Sequence, residues 1–395
     1  MAVAGVGPVA RAAGKQRDRG RLAIMLTGGG ARAAYQAGLL RGIARHFPRL
    51  KVDVITGASA GAINAAFLAA AEGTFADRVA RLCDLWCDLE CSHIFRFDPK
   101  TVIPWRGFRG RSTARRHALF DSTPLRELLR RVLGCGSSTE PIAGIRRNLE
   151  AGELRAIALM TLDYSTGQSV RWVQGEALEP FDGPNHRGVQ TELTLAHVMA
   201  SSALPFVFPA VCIDGRWHGD GGIRLAAPLS PAVHLGARRI LAMSTGYQRT
   251  PDEAGKPLVE GYPPAGQVLS QLVNAVFLDA IDEDVARMER MNEMIRRIPP
   301  REWNGFKQVD LMVLRPSCDI GTLSAEYAAK LPLDVRLITR ALGVKETQSP
   351  DFVSLMLFEG GYTRRLIEIG EADIESRLPA LRRFLGEKAR ALTAV

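Results

Sequence analysis

Two apolar segments meet at Gly57-Ala58-Ser59-Ala60-Gly61, and this junction constrains the fold more than any other stretch of the chain. Val52-Asp53-Val54-Ile55-Thr56-Gly57 is rich in β-branched residues and predicts a buried strand, whereas Ala62-Ile63-Asn64-Ala65-Ala66-Phe67-Leu68 continues in helix formers. A serine between them sits on a sharp turn. The cramped backbone of such an elbow needs small neighbours, and it projects the serine Oγ beside the first amides of the following helix. Ser59 is therefore a candidate nucleophile.

A second corner of the same kind stands upstream. Arg21 to Thr27 reads as a strand, Gly28-Gly29-Gly30 ends it abruptly, and Ala31 to His46 reads as a helix. Bare glycine amides next to a helix N-terminus can hold an anion. Two anions fit that description, the phosphates of a dinucleotide and the oxyanion of an acyl-transfer intermediate. Gly28-Gly29-Gly30-Ala31-Arg32-Ala33 approximates the dinucleotide fingerprint, but the ribose-binding acid should end the second strand. Asp53 instead stands at the start of its strand, whose far end runs into Ser59.

With 395 residues, 46% apolar and 24% charged, the chain has the composition of an ordinary globular α/β protein. No apolar run approaches the roughly 18 residues that span a bilayer. One domain is expected over residues 21–385, between a flexible basic N-terminal tail (1–20) and a C-terminal tail (386–395). Residues 1–10 make a poor secretory signal, and six cysteines in so long a chain form no disulfide framework, so a reducing cytoplasm is the expected location. Cys83, Cys87 and Cys91 recur along one face of an expected helix over 76–91. With His93 they suggest a metal, but thiolates on one straight helix rarely close a tetrahedron, and they are read as small buried groups.

Net charge is +9, from 43 arginines and 8 lysines against 42 acids, which suits an anionic surface. The arginines crowd residues 95–120 among aromatics and glycines. This stretch reads as a surface loop, a flap that touches membrane or substrate, or an RNA contact. Further along, Asp121-Ser122-Thr123-Pro124-Leu125 supplies capping residues and a proline for a helix expected to run through Val132, and a hairpin is expected from Leu154 to Val173. A helix over 193–203 leads into Ser201-Ser202-Ala203-Leu204-Pro205-Phe206-Val207-Phe208-Pro209, an apolar, proline-kinked passage suited to lining a cleft. Asp220 follows on an expected glycine-rich turn, where a carboxylate can be held against another loop or can tie its own backbone. Beyond it come a strand over 239–244, one long amphipathic helix over 268–295, a last strand over 309–314 and helix from Leu323 onward.

Taken in order, Gly28-Gly29-Gly30-Ala31-Arg32, Gly57-Ala58-Ser59-Ala60-Gly61 and Asp220-Gly221-Gly222 resemble the patatin-like phospholipases. The resemblance extends over about residues 21–385 and includes Leu357-Phe358-Glu359-Gly360-Gly361-Tyr362-Thr363-Arg364-Arg365-Leu366. It implies a three-layer α/β/α fold with a mostly parallel central sheet and a catalytic dyad of Ser59 and Asp220. It also implies an oxyanion hole from Gly28, Gly29, Gly30 and Ala31. Ala33 departs from the family's first motif, where a glycine is usual. Arg32 is a candidate for steadying the glycine loop or attracting a phosphate head group. The resulting expectation is a serine acyl hydrolase of phospholipase A or lysophospholipase type. It would act on phospholipids or related lipid esters, dock transiently on the inner face of a membrane, and need no metal, cofactor or nucleic acid. The residues do not specify an oligomeric state. The alternative is a Ser-His-acid triad of the α/β-hydrolase type with His218 or His234 as base, although there the order is serine, acid, histidine and the elbow usually arrives later in the chain.

Overall fold

The computed structural model describes residues 20–97, 118–176, 182–255, 257, 261–277, 279–332, 336 and 351–386. Apart from Gly20 and Gly386, the two expected tails lie outside the described residues, as does most of the arginine-rich loop.

Alternation along the central strands builds the layers. In β1 (Arg21–Leu26), Leu22, Ile24 and Leu26 enter one core and Ala23 and Met25 enter another on the opposite face. The first core is closed by helices α1 (Ala34–His46), α2 (Ala60–Ala70) and α3 (Phe75–Cys87) together with the long helix Gly360–Leu385. On the other face, Leu229, Ala232 and Ile281 bring in the helices Ser230–His234 and Ala280–Arg297. A sheet buried on both faces between helices is the expected three-layer α/β architecture.

Around β1 stand β2 (Val54–Gly57), β5 (Ala156–Asp163), β10 (Ala237–Met243) and β11 (Asp310–Leu314), all parallel, in the order β11-β10-β1-β2-β5. β6 (Ser169–Gly175) pairs antiparallel with β5 and carries β7 (His186–Gln190) at the edge. A hairpin of β8 (Val211–Ile213) and β9 (Arg216–Asp220) joins the far end of β5. A separate small ribbon pairs β3 (Arg96–Phe97) with β4 (Phe120–Asp121). Because Leu26 pairs with Gly57, the glycine loop after β1 and the serine elbow after β2 leave the sheet side by side at its carboxyl edge. That edge is where ligands bind in open α/β sheets.

Several expectations change. The helix over 76–91 ends at Cys87, and Cys91 opens a separate short helix, α4 (Cys91–Ile94), so the three cysteines share no helix face. Cys83 and Cys91 are buried and direct their thiols at the Ala37 and Met356 carbonyls. The single helix over 268–295 is two, Ala265–Phe277 and Ala280–Arg297. Apolar spacing runs across the break, which is marked only by Asp282 and Glu283, acids favourable in the first turn of the second helix. Asp220 ends a strand and does not lie on a turn. The β8–β9 hairpin turns at Asp214-Gly215, both with φ positive.

One buried polar network ties the corners together. Gln36 Nε2 donates to the carbonyls of Thr27 (2.9 Å) and Met243 (3.0 Å), at the ends of β1 and β10. Its Oε1 accepts from Asn64 Nδ2 at 3.0 Å, Asn64 also donates to the Ala33 carbonyl, and Trp86 Nε1 donates to Asn64 Oδ1 at 2.8 Å. Asn64→Leu strands the Trp86 donor and two acceptors in the core. It should cost about 3 kcal/mol in urea unfolding, with the m-value unchanged; a loss below a few tenths would show the network to be dispensable.

Candidate active site

Ser59 precedes α2 with φ 56° and ψ −132°, a conformation rarely adopted by a residue with a side chain. The close approach beneath it explains the glycines. A Cβ at Gly61 would run into the carbonyl oxygens of Leu26 and Thr27, so the elbow can press against β1 only with glycine there. The Ser59 amide donates to Ser201 Oγ at 3.1 Å, and the Ser59 side chain, 8% exposed, turns toward the end of β9.

There Ser59 Oγ donates to Asp220 Oδ2 at 2.6 Å. The carboxylate is fully buried, and its other oxygen accepts the Gly222 amide at 2.8 Å. Its backbone is held by the pairing of Asp220 with Thr161 of β5, by its own amide on the Ala203 carbonyl, and by Gly221 N on the Ser201 carbonyl. Burial pushes the Asp220 carboxyl up to about 7, against the lowering effect of the Ser59 and Gly222 hydrogen bonds. The side chain thus exchanges a proton near neutral pH.

The glycine loop lies beside this pair with its carbonyls tied back. Gly28 O accepts from Thr245 Oγ1 at 2.6 Å, and Gly29 O accepts the Arg32 amide at 3.0 Å. Gly30, at φ 53°, abuts the Leu355 carbonyl, and a single turn of 3₁₀ helix (Gly30–Ala33) leads into α1. First-turn amides have no acceptor within a helix, so this corner offers donors.

Gly29, Gly30, Ser59 and Ala60 share the wall of a largely apolar hollow of about 780 Å³, part of it open to solvent, completed by side chains such as Ile63, Trp86, Leu129 and Phe358. Gly28 borders a different cavity of about 370 Å³ behind the elbow, and Ala31 is buried at the helix start. Of the four glycine-loop residues singled out from sequence, two therefore face the same space as the serine.

Arg32 does not reach that space. Its guanidinium is 2% exposed, donates from Nε to Ser354 Oγ at 2.5 Å and pairs with Asp351, which also accepts from Asn274 at 2.7 Å. Of its two candidate roles, steadying the loop fits this placement and attracting a head group does not. His218 lies on β9 two residues before Asp220, but its Nδ1 bonds to Thr161 Oγ1 at 3.1 Å and its ring packs on Trp172. Burial lowers its pKa. His234 closes the helix Ser230–His234. No imidazole stands between Ser59 and the carboxylate it meets. The bridging roles of Ser201, Thr245 and Asp351 escaped sequence reading because nothing local distinguishes a bridging serine, threonine or aspartate from a surface one. The proline-kinked passage after Ser201 does line the cleft, through Ser202, Leu204 and Phe208.

The fold and the site define a three-layer α/β protein that presents a serine on a sharp strand-to-helix elbow against a buried aspartate. The model of the family described as patatin-like phospholipase matches residues 24–233, and the chain belongs to that family. Among solved structures it is similar to human GIVD cytosolic phospholipase A2 (13% identity, 94% of this chain and 60% of that one, TM-score 0.45). It is also similar to VipD from Legionella pneumophila (11% identity, 89% and 67%, TM-score 0.35) and to ExoU in its complex with SpcU from Pseudomonas aeruginosa (16% identity, 82% and 60%, TM-score 0.25). The chain thus spans 60% of the length of the human enzyme. Among curated proteins none matches it.

The raised Asp220 pKa makes a stability prediction. Between the ordinary carboxylate range and about pH 7 the folded state keeps a proton that the unfolded chain releases, so wild-type stability falls as pH rises through that window. Asp220→Asn has no such titration. Its Tm relative to wild type should climb from pH 5 to pH 8 and then level; a constant difference would mean the carboxyl is not shifted.

Proposed function

We propose that the protein is a serine acyl hydrolase that cleaves ester bonds of phospholipids or related lipids, with Ser59 as nucleophile and Asp220 as its base. The observation that carries this reading is the direct 2.6 Å contact of Ser59 Oγ with a carboxylate poised near neutrality, at the head of an apolar cavity. Ser59 Oγ attacks the ester carbonyl carbon while its proton passes to Asp220 Oδ2. The oxyanion forms beside Gly29 and Gly30, whose amides stabilise it by about 3 kcal/mol each where they donate. The C–O bond then breaks, the alcohol leaves with the proton from Asp220, and the acyl group remains on Ser59. Water, deprotonated by Asp220, attacks the acyl-serine; the bond to Ser59 Oγ then breaks, Asp220 returns the proton to Ser59 Oγ, and the fatty acid is released.

The apolar cavity supports an acyl chain as the group held there. Membership of the patatin-like phospholipase family supports a lipid ester as the substrate class. Net charge of +9 supports transient docking on an anionic membrane, and no helix among the described residues is long and apolar enough to cross one. Six free cysteines support a reducing cytoplasm. A continuous nine-stranded sheet, with the last described helix packed on α1, supports a single hydrolase unit over residues 21–385.

A fluorophosphonate probe should label wild type and leave Ser59→Ala unlabelled; equal labelling would remove Ser59 as the nucleophile. Asp220→Asn should lower kcat by about two to four orders of magnitude, while His218→Gln stays within about tenfold. In wild type, kcat/KM should rise with pH and level above about 7, as the base loses its proton. A kcat loss in His218→Gln matching that of Asp220→Asn would favour the triad instead.

A further inference from the structure

The apolar cavity beside Ser59 is not the largest hollow in the protein. On the flank of α3 and α4 lies a second, polar cleft of about 1060 Å³, bordered by Ser92, Lys330, Glu359 and Arg364. The two hollows share two wall residues, Leu89 and Phe358. None of the glycine loop, Ser59 or Ala60 borders the polar cleft, so the two hollows adjoin through Leu89 and Phe358 and not through the nucleophile. Both side chains are buried, at 5% and 8% exposure.

The wall is held from several directions. Glu90 and Glu359, the residues next in sequence, form an isolated antiparallel β-bridge that draws the two segments together. Thr363 Oγ1 donates to the Trp86 carbonyl at 2.8 Å, and Arg364 donates to the Cys87 carbonyl at 3.3 Å. The Phe358 ring stacks on Trp86 and meets Phe95 edge-on, each at 6.4 Å between centroids. Lys330 bonds Glu359 at 3.1 Å on the cleft side.

We infer that Leu89 and Phe358 are the stop that sets the length of acyl chain the active-site cavity accepts. This inference rests on the lipid-ester reading above and assigns these residues a specificity role and no chemical one. A chain entering past Ser59 gains apolar contact with each methylene until its end meets the Leu89–Phe358 wall. Beyond the wall lies a cleft lined by charges, where further methylenes gain nothing by leaving water. Removing the wall joins the two hollows and extends the path.

The test uses the full chain and saturated fatty acids of increasing length, the acyl product of the proposed reaction, with binding followed by calorimetry below the critical micelle concentration. In wild type the Kd should tighten roughly fourfold per added methylene and then stop improving at a defined length. In Phe358→Ala, and separately in Leu89→Ala, that break should move to longer chains. Leu125→Ala, which enlarges the cavity at a wall the cleft does not share, should leave the break where it is. Phe358→Leu, milder in volume, serves where the alanine variant unfolds. An unmoved break in folded Phe358 and Leu89 variants overturns the inference, as does an equal shift in Leu125→Ala or an absence of length dependence in wild type. Fluorophosphonate labelling reports separately on the hydrolase reading. Labelling with an unmoved break sinks the stop alone, and a moved break without labelling sinks the nucleophile alone.

Discussion

A carboxylate without water is the constraint from which the site follows. Removing an ionised carboxyl from solvent costs several kcal/mol unless partners replace the lost hydration. Asp220 has two, the Ser59 hydroxyl and the Gly222 amide, and no cation contributes to its shift. These two hydrogen bonds offset only part of the burial, which is why the group rests near neutrality. The same bond orients the serine hydroxyl, so the aspartate's protonation and the serine's direction are one coupled property. Backbone strain at Ser59 persists because the surrounding packing leaves the elbow no other path.

Ser201 shows how two distant segments are kept in register. Its Oγ accepts the Ser59 amide and its carbonyl accepts the Gly221 amide, so one residue at the end of the helix Leu195–Ser201 touches both sides of the Ser59–Asp220 contact. The glycine loop is secured by different means. Thr245 holds the Gly28 carbonyl, Gln36 bridges the ends of β1 and β10, and the buried Arg32–Asp351 pair fastens the start of α1 to the helix Asp351–Met356. A buried ion pair is poor evidence of stability, but losing one partner leaves an uncompensated charge, so this clamp resists displacement. The result is a donor-bearing corner with little freedom to drift from the serine.

Much of this was legible in the residues. Apolar, β-branched runs located the central strands, glycine corners located the ends of β1 and β2, and the order of three short motifs indicated the family. Failures occurred where local pattern carried no mark. Apolar spacing passed through the break between Phe277 and Ala280, the helix after Thr74 stopped at Cys87, and the strand ending in Asp220 was hidden by its glycines.

Local preference determined where the backbone turns and which faces are apolar, because β-branching, helix propensity and glycine act within a few residues. Tertiary structure alone decided that Ser59 and Asp220, 161 positions apart, share one proton, that Asp220 is dry enough to hold it near neutrality, and that Arg32 spends its charge on Asp351. Solvent exclusion and charge pairing depend on what the rest of the chain brings to the same point in space, and no short stretch of residues contains that information.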